Sequence, residues 1–135
     1  MSMQVQEGVY VKFVFSGDDV TDAFNKAVQF AATEGEVELA DEDTTTFIGL
    51  IVAVDPGKTT AEDGDNVNVC TEGVLEAIAD GAISYGDALG VGEDGKLKAV
   101  TADGTEPLTN SLAMVGRALQ DADDGDVFQA LIHSK

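Results

Sequence analysis

Short apolar runs recur at spacings of roughly ten residues along this chain, separated by Gly/Asp turns, and that rhythm predicts a mostly β domain. In VYVKFVF, residues Val9, Val11, Phe13 and Phe15 alternate onto one face. FIGLIVAV (Phe47–Val54) is continuous and β-branched, which suits a strand buried on both sides. NVNVC (66–70) alternates again. ALGV and KLKAV flank GEDGK, a hairpin turn with Asp94-Gly95 at its centre. LAMVGRAL (112–119), VFQALI (127–132) and a short strand at Val28–Phe30 bring the expected count to about eight. The expected architecture is mainly β, a small single-domain barrel or sandwich with one short helix at most.

Two segments pull the other way. DDVTDAFNKAVQFAA places Val20, Ala23, Phe24, Ala27, Val28 and Ala31 at helical spacing behind an Asp cap. VLEAIADG (74–81) sets Val74 and Ile78 four apart. Periodicity alone reads both as short helices. A Gly-Asp pair followed by apolar residues also recurs, in GDNV (64–67), GDAL (86–89) and GDVF (125–128). Gly permits positive φ and Asp accepts backbone N–H groups, so the expectation is recurrent turn chemistry and not a repeated architecture.

The length, 135 residues, suits one domain that buries roughly two-thirds of its unfolded surface. Residues 1–8 read as a polar N-terminal arm and 9–135 as a single β-rich domain. No apolar stretch approaches the ~20 residues that span a bilayer, and no charged-then-apolar leader opens the chain. The expectation is a soluble protein with no membrane partner.

Charge changes the picture most. There are 26 Asp and Glu against 7 Lys and Arg, a formal charge of −19. The acids are scattered among apolar runs, so this is a folded acidic surface and not a disordered tail. Two explanations fit: adaptation to high salt, where the Debye length drops to about 3 Å at 1 M, or binding of multivalent cations. Dispersed acid and scarce Lys favour the first. Direct binding to a nucleic acid backbone is disfavoured, because no basic patch exists to displace counterions.

Candidate chemistry is sparse. Pro56-Gly57-Lys58-Thr59 sounds like a phosphate-binding loop, but that loop needs a Gly where Val52 stands and a helix straight after the Lys. Pro56-Gly57 suits the centre of a type II turn between two strands instead. The acid clusters at 41–46, 61–65 and 121–126 fail the EF-hand pattern; counted from Asp121, Gly125 takes the fifth place and no glutamate stands at the twelfth. Cys70 and His133 are the sole cysteine and histidine, too few for a zinc site, and Cys70 reads as a small core residue. Phe13, Phe15, Phe30 and Phe47 read as core. Nothing singles out a catalytic carboxylate pair or a nucleophilic serine. The expectation is no enzyme, with no catalytic, cofactor-binding or metal residues.

An ordered series of motifs resembles one family. TEGV (71–74), GAISYGDAL (81–89), the DGK hairpin (94–96), GRAL (116–119), GDV (125–127) and a closing strand are similar to the capsid decoration proteins of tailed viruses. That family was formerly a domain of unknown function, sometimes labelled RecA/RadA-like recombinase. The likeness runs over about residues 5–132, and the chain departs from it in its acid load and in DDVTDAFNKAVQF. It implies a β-rich protomer, a homotrimer, seated on the outer face of an icosahedral shell with the major capsid protein as its partner. It carries over no catalytic residue and no cofactor. With the acidity, it implies a virus of a halophilic, archaeal host. The alternative is an acidic cation-binding or surface-layer interaction module that works through the Asp-rich loops.

Overall fold

A computed structural model of the chain describes residues 9–42, 44, 46–55, 57–100 and 115–133. The expected arm at 1–8 and the start of LAMVGRAL lie outside the described residues. Among the described residues nine strands form: β1 (Val9–Phe15), β2 (Ala27–Phe30), β3 (Glu36–Leu39), β4 (Phe47–Val54), β5 (Asn66–Ile78), β6 (Ala88–Val91), β7 (Leu97–Ala99), β8 (Gly116–Ala118) and β9 (Val127–His133). A single 3₁₀ turn at Glu93–Gly95 joins β6 to β7. The strands run in the order β1-β3-β2-β4-β5-β9-β8-β6-β7, and β1 also pairs with β5. The mainly β expectation holds, and the turn at Asp94-Gly95 is where the pattern put it.

That extra pairing closes β1-β3-β2-β4-β5 into a small barrel. A second ring closes in the same way. There β5 pairs with β9, β9 with β8, β8 with β6 and β6 with β7, and a parallel bridge from Leu97 to Ala79 returns to the end of β5. The two rings match residue by residue. Phe15 meets Val37 in parallel as Ala79 meets Leu97. Val28 lies opposite Gly49 as Leu89 lies opposite Gly116. Phe13 pairs with Val67 as Ala77 pairs with Phe128. Val20 bridges Ala61 as Ile83 bridges Ala122.

The chain is therefore two tandem copies of one five-stranded barrel that share β5. The N-terminal half of that strand closes the first barrel and its C-terminal half opens the second. This corrects the expectation that the Gly-Asp echo is turn chemistry alone. Ala61-Glu62-Asp63-Gly64-Asp65 and Ala122-Asp123-Asp124-Gly125-Asp126 are the same turn of the two copies.

Each barrel has its own core. Phe15, Val28, Val37, Ile51, Val67 and Val69 fill the first, and Leu89, Leu97, Ala118, Phe128 and Ala130 take matching places in the second. The second core also takes in Ala27, Ala40 and Leu50, which point outward from the first barrel. Gly95, buried in the β6–β7 turn at φ +77°, donates its N–H to Ala40 O at 3.0 Å. The outer face of the first barrel is thus sealed by the second. FIGLIVAV is buried on both sides for this reason, with Ile48 and Ile51 turned into one core and Leu50 into the other.

The two helical readings fail for different reasons. In 18–31, Asp22 (φ 51°) and Asn25 (φ 71°) take left-handed conformations that interrupt any helix, and both residue types tolerate that region. Val20 and Ala23 become buried anchors of a loop that leads into β2, while Phe24 is exposed. The strand expected at Val28–Phe30 is present. In 74–78, a spacing of four fits a strand as well as a helix, because Val74 and Ile78 share parity. Pairing with β9 from Glu72↔His133 to Ile78↔Val127 decides for the strand. The run EVEL, overlooked in the pattern, forms β3 between β1 and β2.

The aromatic expectation holds in part. Phe15 is buried and Phe13 and Phe47 are half-buried, but Phe30 is 56% exposed and meets Phe13 edge-on at 6.5 Å. In β1 the alternating face is buried only toward Phe15, and Val9 and Val11 are exposed.

Candidate functional site

Lys58, the residue that gave 56–59 its phosphate-binding sound, is held in the loop between β4 and β5. Its Nζ lies 2.7 Å from Asp65 Oδ2 and 3.6 Å from Glu62 Oε2. The hydrogen bond to Asp65 raises the Lys58 pKa above its ordinary value, and the same bond, with one from the Glu62 N–H, lowers that of Asp65. The positive charge is already spent on two carboxylates. Val54 O accepts from both Gly57 N and Lys58 N, at 2.9 and 3.0 Å, while the expected type II turn centred on Pro56-Gly57 falls partly outside the described residues. A strand-to-strand connection results, as expected, since β4 and β5 pair antiparallel across it.

The acid clusters at 61–65 and 121–126 resolve into backbone chemistry, while that at 41–46 lies partly outside the described residues. Asp65 Oδ2 accepts the N–H of Glu62 at 2.9 Å, Asp87 Oδ2 that of Ser84 at 2.9 Å, and Asp126 Oδ2 that of Asp123 at 3.1 Å. In each turn the preceding Gly has φ near +90° (Gly64 93°, Gly86 90°, Gly125 86°) and the Asp N–H closes the i→i+3 bond. Asp63 and Asp124 reach across to the matching strand ends and accept from Gly17 N and Gly81 N at 3.0 and 2.8 Å. Asp121 takes the N–H of Tyr85 at 2.7 Å. These carboxylates stitch one loop to its neighbour. Among the described residues, no group of three or more His, Cys, Asp or Glu converges to hold a metal ion.

Cys70 is fully buried, as expected for a small core residue, and its Sγ donates to Glu72 O at 3.1 Å. Burial pushes the thiol pKa up, which disfavours the thiolate that a nucleophile or ligand requires. His133 stands opposite Glu72 in the β5–β9 ladder, two residues along from Cys70, and its N–H donates to Val115 O. The folding brings this pair nearer than their separation in sequence suggests, yet the thiol is not activated.

Two clefts among the described residues are shallow and lie where loops cross. One of about 380 Å³ is lined by Phe15, Asp18, Asp19, Val20, Glu38 and Asp94; another of about 320 Å³ by Ile83, Ser84, Asp121, Ala122 and Asp126. Both are rimmed by acid.

Large apolar side chains on the surface are the feature that sequence reasoning missed. Phe24 and Tyr85 occupy the same corner of the turn in the two barrels and both are exposed, Tyr85 by 73%. Val127 and Leu131 stand on the outer side of β9, 54% and 43% exposed. The signal was available, because in VFQALI every second residue lies opposite the buried Phe128, Ala130 and Ile132.

The architecture is shared with a virion component. Over 92% of both chains, the structure resembles the N base of the head fiber gp8.5 of bacteriophage phi29, with a TM-score of 0.62 and 20% sequence identity. At that identity the likeness establishes a common fold. No family model and no curated protein matches the sequence.

Proposed function

We propose that this chain is a capsid decoration protein. It docks as an oligomer, a homotrimer in the reading from sequence, on the outer face of an icosahedral shell and reinforces the contacts between major capsid subunits. The observation that carries the proposal is the fold shared end to end with a phage head-fiber base. Two features support it. The conspicuous carboxylates hold loops and do not converge on a reacting centre, which suits a binding module and not an enzyme. The buried surface between the barrels makes a rigid platform, and rigidity lowers the ordering cost of docking. A cement protein that binds only the intact shell adds its binding free energy to that state.

The acid surface belongs to the same proposal. Among the described residues Lys12, Lys58 and Lys98 make ion pairs, against 26 acids in the chain, so most of the negative charge is balanced by solvent cations. Such a surface suits the concentrated salt of a halophilic host, where repulsion is screened and contacts depend on apolar burial.

Co-sedimentation with shells assembled from the major capsid protein tests the proposal, at about 2–3 M monovalent salt and in dilute buffer, regimes in which screening differs several-fold. Saturable binding at the high salt supports it. Absence of binding there, together with thermal stabilisation by millimolar Ca²⁺ and indifference to monovalent salt, replaces it with the cation-binding module.

A further inference from the structure

We infer that the outer face of the second barrel is the surface on which a second copy of this chain packs; this rests on the oligomeric reading above and names its contact. The face is read directly from the ladders. Arg117 lies opposite Leu131, and Leu131 opposite Val74, so these three form one row across β8, β9 and β5. Val127 and Ile78 form another row on the same side. Residues paired across a ladder point to the same face, and these point away from the core that holds Phe128 and Ala130. Val127 and Leu131 are exposed, and Val74 and Ile78 are half-buried.

The duplication says what such a face is for. The counterparts of Arg117 and Leu131 in the first barrel are Leu50 and Cys70, which stand opposite each other in the β4–β5 ladder. Both are fully buried, and Leu50 belongs to the core of the second barrel. One chain thus already contains a barrel of this design with its outer face sealed by the next barrel. The same face of the second barrel keeps apolar side chains exposed, Val127 and Leu131, and a second copy supplies a barrel to cover them.

Charge favours a copy over an unlike partner. The only Arg of the chain sits in this apolar row, and Glu76 stands on the same face of β5, opposite Gln129. The face therefore carries its own complement. Copies related by a rotation axis beside β9 meet Arg117 to Glu76 while Val127 and Leu131 are covered, which is the self-complementarity that a closed oligomer requires. A protein of charge −19 has few surfaces on which it tolerates itself, and a row of apolar residues about a cation is one.

The test measures mass by light scattering at high salt for the wild type, Leu131→Glu, Val127→Glu and, as a control on the first barrel, Phe30→Glu, with a thermal melt of each. The expected result is an oligomer for the wild type and for Phe30→Glu. Leu131→Glu and Val127→Glu are expected at the mass of a single chain. Because both side chains point away from the chain's own core, each variant is expected to melt cooperatively, at a temperature lowered by the lost contact, and Val127→Glu decides the matter if Leu131→Glu fails to fold. Wild-type mass retained by a folded Leu131→Glu or Val127→Glu overturns the inference. So does a wild type that is monomeric throughout, and if that monomer binds shells the capsid reading survives alone. An oligomer lost in both variants, from a wild type that ignores shells, upholds this contact and removes the capsid reading.

Discussion

Gly49 and Gly116 hold the same place in the two barrels. Each faces a partner strand so closely that a Cβ added to it would collide with a backbone carbonyl oxygen, that of Cys70 for Gly49 and that of Leu131 for Gly116. Neither needs glycine for its φ; both need it for the approach of β4 to β5 and of β8 to β9. The coincidence follows from the shared design. Because the clash is with backbone and not with a movable side chain, Gly49→Ala and Gly116→Ala are each expected to destabilise the chain by about 3 kcal/mol, at the upper end of overpacking costs. Chemical denaturation of the single variants measures this. A loss below about 1 kcal/mol at both sites would show that the strands separate easily.

The Gly-Asp turns make a second prediction. Gly86 and Gly125 sit at φ near +90°, so Gly86→Ala and Gly125→Ala are expected to cost about 1–2 kcal/mol each through backbone strain. Asp126→Ala removes the acceptor for the Asp123 N–H and is expected to cost about 1 kcal/mol. Gly57→Ala, also at positive φ, is the comparison in the loop between β4 and β5. Melting curves of the four variants give the comparison, and unchanged melts for all four would contradict the turn assignment.

Lys58 and Asp65 couple stability to pH. The folded pKa of Asp65 lies below its ordinary value of 3.8, so its contribution is present above that value and is lost as pH falls through the folded pKa. The folded pKa of Lys58 lies above its ordinary 10.5, so its contribution is present below that value and is lost as pH rises through the folded one. Asp65→Asn is therefore expected to be less stable than the wild type at pH 7, with the gap closing below about pH 3.8. Denaturant midpoints for both proteins at pH 7 and pH 3 test this, and a gap that widens in acid would refute it.

Cys70 offers a reporter of the fold. Fully buried and with its thiol pKa raised by burial, it is expected to react with a thiol reagent at pH 8 only when the chain unfolds. Labelling of the native protein at the rate of a free thiol would show that the region joining the barrels opens readily.

Salt provides the broadest test of the acid surface. The proposed trimer would carry three times the charge of −19, a repulsion that goes unscreened in dilute buffer. Melting temperature and shell occupancy are both expected to rise with monovalent salt. Full occupancy retained in dilute buffer would remove the halophilic part of the proposal.

Much of the fold was legible along the chain because strands and turns leave local marks. The alternation in VYVKFVF, the continuous FIGLIVAV and the Asp94-Gly95 turn each predict the element that forms. The site left fewer local marks. Val52 in place of Gly argued against a phosphate loop, but nothing local announced that Lys58 would be held by Asp65 and Glu62. The repeat was the signal nearest to hand: Ala-acid-Asp-Gly-Asp occurs at 61–65 and again at 122–126, and the cores between have diverged, with Phe15 answered by Ala79 and Val67 by Phe128.

By itself, then, the sequence determined the β class, the places where the chain turns and the heavy negative charge, since these depend on residues near one another or on simple counts. Only the tertiary structure decided that VLEAI is a strand, that DDVTDAFNK is a loop and that two rings share β5. A spacing of four residues satisfies helix and strand alike, and the choice falls to the partner that offers backbone hydrogen bonds, which here is β9. Exposure was decided at the same level. Leu50 and Arg117 occupy one position in two copies of a barrel, and Leu50 is buried because a second barrel covers it.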